Sequence, residues 1–108
     1  MTEPLANLLD LDRVIHEPAR LLLVALLSSV ESADFLFLIK ESSLTKGNLS
    51  VHLARLEDAG YLSVEKSFRG KIPHTEYKLT PKGAAAFDGY RRSLAPILSK
   101  KKGSDRRL

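Results

Sequence analysis

The chain has 108 residues, 44% hydrophobic and 28% charged, as expected of one soluble globular domain with a modest core. It contains no cysteine, which excludes disulfides, thiolate metal sites and cysteine nucleophiles. The net charge of +4 is unevenly spread: residues 1–45 carry three basic and seven acidic side chains, residues 46–99 nine and five, and residues 100–108 five and one.

The acidic start lacks a basic flank before an apolar run, which argues against a signal peptide. Leu5, Leu8, Leu9, Leu11, Val14 and Ile15 make a short amphipathic element, interrupted near Asp10 and Asp12. Pro18 suits the first position of a helix running to about Ser29. That helix is apolar almost all round, through Leu21, Leu22, Leu23, Val24, Leu26 and Leu27, so its own domain or a second subunit must cover every side. The apolar run Leu21–Leu27 falls far short of the roughly 20 residues that cross a bilayer, and a cytoplasmic protein is expected. A second short helix, capped within Ser32–Asp34, carries Phe35, Leu36, Leu38 and Ile39 and ends near Ser42 and Ser43. Thr45 caps a third, over residues 45–59, in which Leu49, Leu53 and Leu56 fall on one buried stripe. Gly60 sits where a left-handed C-cap belongs. Two helices joined by so short a turn form a helix-turn-helix.

Leu62, Val64, Lys66 and Phe68 then alternate with Ser63, Glu65 and Ser67, and Thr75, Tyr77 and Leu79 alternate with Glu76 and Lys78. The pattern predicts two half-buried strands joined by a loop over Arg69–Pro73, with Phe68 in the core. Thr80 and Pro81 open a last helix whose Phe87, Tyr90, Leu94 and Ile97 follow a spacing close to a coiled-coil seam. Pro96 is expected to kink or end it before Ile97. Residues 1–99 read as one domain and the basic tail, residues 100–108, as disordered. The fold class is mainly α with a small β-hairpin (α+β): a three-helix core, a hairpin and a C-terminal dimerisation helix.

With its leucines committed to the core, the third helix offers Lys46, Gly47, Asn48, Ser50, Val51, His52 and Arg55 to a ligand. These supply cations, hydrogen-bond donors and acceptors and a methyl-bearing surface, the groups that clamp phosphates and read base edges in a major groove. Gly47 is costly inside a helix, but it lets the backbone approach a phosphate closely. Glu57 and Asp58 lie at the far end. In the hairpin, residues 66–74, Arg69 and Lys71 flank Gly70 at the tip with Lys66 nearer the base, and a narrow minor groove attracts such cations. The basic excess begins at this helix and hairpin, which suits a polyanion. Leu5, Leu8, Leu9 and Leu22, with Phe87, Tyr90, Leu94 and Ile97, are more apolar surface than one small domain buries, so a homodimer is expected, with these residues at its interface.

No Gly-rich phosphate loop, zinc-ligand spacing or HExxH pattern occurs, and Ser50 and His52 point different ways on a helix, so no enzyme is expected. His16, His52 and His74 are too far apart for a local ligand pair, and neither a metal nor a cofactor is expected. The competing reading is an interaction module for protein or RNA. Its protein form should lack cations at Lys46, Arg55, Arg69 and Lys71, and its RNA form should expose aromatic side chains for stacking.

The string from Asn48 to Leu62, NLSVHLARLEDAGYL, resembles the recognition helix of the ArsR/MarR-like winged-helix regulators. Thr75, Tyr77, Leu79, Thr80 and Gly83 match the closing strand of their wing, and DRVIHEPAR, from Asp12 to Arg20, matches their opening. The resemblance extends over roughly residues 11–95. It implies a winged helix-turn-helix and a homodimer on palindromic or semi-palindromic double-stranded operator DNA, with transcription regulation as its role. By the same resemblance Asn48, Ser50 and His52 read DNA from the helix and Arg69 from the wing, and the first and last helices build the dimer. The thiolate sensor of the metal-sensing branch is absent here, and no small-molecule effector is assigned.

Overall fold

Side chains that accept backbone N–H groups set where the longer helices begin, in a computed structural model that describes residues 3–99. The chain opens with α1, Glu3–Ala6, and a single 3-10 turn, Asn7–Asp10. Asp12 Oδ1 then accepts from Val14 N at 2.8 Å and Ile15 N at 3.0 Å and turns the chain. Glu17 caps α2, Pro18–Ser28, by accepting from Arg20 N at 2.8 Å. Asp34 caps α3, Phe35–Ser42, through Phe37 N at 2.8 Å, and Thr45 caps α4, Lys46–Asp58, through Asn48 N at 3.1 Å. Each cap satisfies a donor that the first helical turn leaves without a partner.

The exit from α4 is equally determined. Tyr61 N donates to Leu56 O and Gly60 N to Glu57 O, both at 2.9 Å, with Gly60 at φ 83°. This pair of bonds is a Schellman motif, and a left-handed glycine makes it inexpensive. Leu49, Leu53 and Leu56 are buried as their spacing predicts, and they meet Ile15, Leu23, Val24, Leu27 and Leu38 in the core. Burial of each leucine contributes about 1.5–3 kcal/mol.

Three antiparallel strands follow the order β1-β3-β2, where β1 is Ala33–Asp34, β2 is Leu62–Arg69 and β3 is Ile72–Leu79. The sequence does not predict β1, because two residues between helices show no alternation. The hairpin is also longer and its turn tighter than expected. Arg69 pairs with Ile72, so the connection is Gly70 and Lys71 alone, with Gly70 at φ 65°. Pro73 is tolerated inside β3 because β1 reaches only Tyr77 and Glu76, leaving the strand's outer edge open beside it. Phe68, expected in the core, is 71% exposed. The alternation continues along β2, but only Leu62 is buried and Val64 half-buried, since the strand outruns the helices beneath it.

The last helix, α5 (Pro81–Leu98), starts at Thr80, whose Oγ1 accepts from Gly83 N at 3.0 Å. It continues through Pro96 rather than stopping there. One missing N–H near an exposed helix end removes a single bond, and Ser99 N still donates to Ala95 O at 3.0 Å. Tyr90, assigned above to the dimer surface, is 6% exposed in the chain's own core, with its hydroxyl 2.9 Å from His16 Nδ1. The chain's own domain covers most of α2 but leaves Leu22 exposed. The expected disordered tail lies outside the described residues. Helix-turn-helix, hairpin and closing helix together make the winged-helix arrangement, mainly α with a small sheet.

Candidate nucleic-acid interface

Burying one side of α4 settles what its other side can do. Lys46, Gly47, Asn48, Ser50, Val51 and Arg55 are all exposed, Val51 at 60%. They form a surface of two cations, amide and hydroxyl groups and an apolar methyl patch, held on a helix whose position the core fixes. A surface of this kind can bond phosphates and base edges together. A Cβ added at Gly47 would meet nothing within 4 Å inside the chain, so no internal packing requires glycine there.

His52 differs from the rest of that surface. It is half-buried, with Nδ1 3.1 Å from Arg20 Nη1 and 3.8 Å from Glu17 Oε1 at the start of α2. Arg20 Nε donates to Val14 O at 2.6 Å, which anchors the guanidinium. Glu17 lies below the usual carboxylate range, first because Arg20 N donates to it and also because His52 stands near. His52 is thus tied by one ring nitrogen to the body of the protein. Sequence reasoning missed the parts of Glu17 and Arg20, although both lie in the segment Asp12–Arg20 that carries the family resemblance.

In the hairpin, Lys66, Arg69 and Lys71 are exposed, and so are Phe68 and Ile72, the latter at 70%. Residues paired across antiparallel strands share a face. Phe68 with Pro73, Lys66 with Thr75 and Val64 with Tyr77 occupy the face that runs into the core, whereas Arg69, Ser67, His74, Glu65 and Glu76 occupy the outer face. Arg69 Nη2 lies 3.2 Å from His74 Nε2, which is 2.7 Å from Glu76 Oε2. Hydrogen bonds from His74 and Ser32 hold the Glu76 carboxyl below its ordinary range, against burial and the like charge of Asp34. Strand pairing brings His74 beside Glu76 and Asp34, a grouping that the spacing of the three histidines does not suggest.

Behind these surfaces, Tyr61 donates its phenolic hydrogen to Asp12, and burial with that bond pushes its pKa up to about 12. Of the other residues expected at a dimer interface, Leu5 and Leu9 are exposed, Leu9 at 69%, while Leu8, Phe87, Leu94 and Ile97 are half-buried.

Comparison with known proteins agrees with this geometry. An uncharacterized protein of Methanocaldococcus jannaschii is 35% identical over 79 residues, which span 72% of this chain and 85% of that protein. The solved structure of a transcriptional regulator homologue from Pyrococcus horikoshii matches with a TM-score of 0.81 at 26% identity, covering 90% of this chain and 95% of that one. A putative transcriptional regulator from Salmonella typhimurium shares the fold, with a TM-score of 0.66 at 24% identity over 80% of this chain and 75% of its own. The family model described as a winged helix DNA-binding domain matches residues 19–98, from α2 to the end of α5. With most of its length inside that match, this chain belongs to the winged-helix DNA-binding domain family, whose work is binding DNA and not catalysis.

Proposed function

We propose that the protein is a homodimeric transcription regulator of the ArsR/MarR type, acting on double-stranded operator DNA in the cytoplasm. In this reading α4 enters the major groove, and the hairpin tip lies on the adjacent minor groove or backbone. The observation that carries it is the exposed row from Lys46 to Arg55 on a helix whose opposite side is locked into the core. Lys46, Arg55, Lys66, Arg69 and Lys71 supply phosphate contacts, and Asn48, Ser50, Val51 and the free edge of His52 supply base contacts. Exposed Leu5, Leu9 and Leu22, with the half-buried seam of α5, support pairing of two chains. A two-fold pair sets its recognition helices about 34 Å apart, one turn of DNA, and therefore favours a palindromic site.

The exposure of Phe68 favours one alternative, an RNA-binding module in which that ring stacks on an unpaired base. A single experiment separates the two. The protein is offered a random duplex pool and a random single-stranded RNA pool together, at two salt concentrations. Regulation of an operator predicts an enriched duplex motif with inverted half-sites about one turn apart. Retention of RNA in preference to duplex, or a duplex pool with no enriched motif, would contradict it.

A further inference from the structure

Below Arg69, the outer face of the sheet carries a row of carboxylates that the DNA contacts proposed for the hairpin tip leave out. Asp34 of β1 is paired with Glu76 of β3, and Glu76 with Glu65 of β2, so three carboxylates stand side by side across all three strands. Like charges placed directly opposite one another on a sheet repel. Among the described residues, the ion-pair partner of this row is a histidine, His74, two residues before Glu76 and on the same face. Arg69 Nη2 stands 3.2 Å from the same ring nitrogen, so a metal on that nitrogen displaces the guanidinium toward solvent.

One ligand-capable atom each from Asp34, His74 and Glu76 lies within 4.8 Å of the others, and all three side chains are half-buried. The groups are also held in place. Asp34 is fixed by its bond to Phe37 N, and Glu76 Oε1 accepts from Ser32 Oγ at 2.8 Å. Hydrogen bonds of this sort orient ligands from behind. A cleft of about 840 Å³, bordered by Glu31, Glu65, His74 and Glu76 together with the cations Arg69 and Lys78, opens onto the hairpin side of the site and offers an entry path.

We propose that Asp34, His74 and Glu76 form a binding site for a divalent transition-metal cation of the zinc type. An imidazole among carboxylates selects such borderline cations over magnesium or calcium, which prefer oxygen alone. Zinc bonds of about 2.0–2.1 Å in a tetrahedron separate ligand atoms by about 3.4 Å. Side-chain rotation brings atoms now up to 4.8 Å apart to that spacing and leaves the fourth position for water. The bound ion relieves the repulsion along the row. Asp34 belongs to the cap of α3, whereas His74 and Glu76 belong to the hairpin, so the cation clamps the hairpin to the helical body. The absence of cysteine means that no thiolate competes for the metal.

Zinc titration by calorimetry on the full chain, with melting curves recorded with and without the ion, tests the site. Wild-type protein should take up one zinc per chain and melt at a higher temperature when loaded. Asp34→Asn keeps a residue that caps helices well, and Glu76→Gln keeps the side-chain length, so both should fold without metal. Each should weaken zinc at least tenfold, as should His74→Ala. Absence of saturable uptake by the wild type, or affinities unchanged in all three variants, would overturn the proposal. Equal uptake of magnesium would overturn the assignment to a transition-metal cation.

Discussion

The root and the tip of the hairpin are built on one alternating pattern and live under opposite constraints. At the root, Leu62 is buried, Thr80 N donates to Tyr61 O at 2.9 Å, and Thr80 Oγ1 donates to Gly60 O at 2.7 Å. These bonds join the exit of α4 to the start of α5, and Gly83 presses against the Tyr61 backbone so closely that an added Cβ would collide with its carbonyl oxygen. At the tip, Gly70 has open space around it, and Phe68, Arg69, Lys71 and Ile72 project into solvent. Rigid packing at one end aims the hairpin. The other end is free for contact with a partner.

Substitution should separate the two ends sharply. Gly83→Ala should bring the largest loss, about 1–3 kcal/mol of folding stability, because backbone and not a flexible side chain must move. Chemical denaturation measures it, and Phe68→Ser at the tip should stay within about 0.5 kcal/mol of wild type in the same assay. Equal effects at both positions would remove the distinction. Gly47 provides a smaller and opposite case. Its surroundings are open, so Gly47→Ala should stabilise the chain by about 0.5–1 kcal/mol through helix propensity. The same change should weaken duplex binding if a phosphate lies against that backbone. Greater stability with unchanged DNA affinity would show that the glycine makes no close approach.

Much of this plan was legible in the sequence. The stripe of Leu49, Leu53 and Leu56 reports a buried helix face directly, because a 3.6-residue period has few other causes. Thr45, Gly60 and Thr80 mark element ends through chemistry that is local to each residue. What stayed hidden depended on partners distant in the chain. Alternation at Phe68 reports the pleat of a strand but not whether anything lies under it, and among the described residues nothing covers this ring. Tyr90 follows the α5 seam by spacing, yet His16 and the core take it first. The meeting of Asp34 with His74 and Glu76 depends on the register of a two-residue strand, which leaves no periodic trace. His52 looked like a free reader of bases, and its tie to Arg20 and Glu17 depends on how α2 packs on α4.

The most direct test of DNA binding through the exposed α4 face and the hairpin tip is the salt dependence of duplex affinity in wild type and Arg69→Ala. Both should lose affinity as salt rises, and the variant's slope of log affinity against log salt should be shallower by about one unit, with folding stability unchanged. Identical slopes, or a wild-type affinity indifferent to salt, would contradict a tip that touches phosphate.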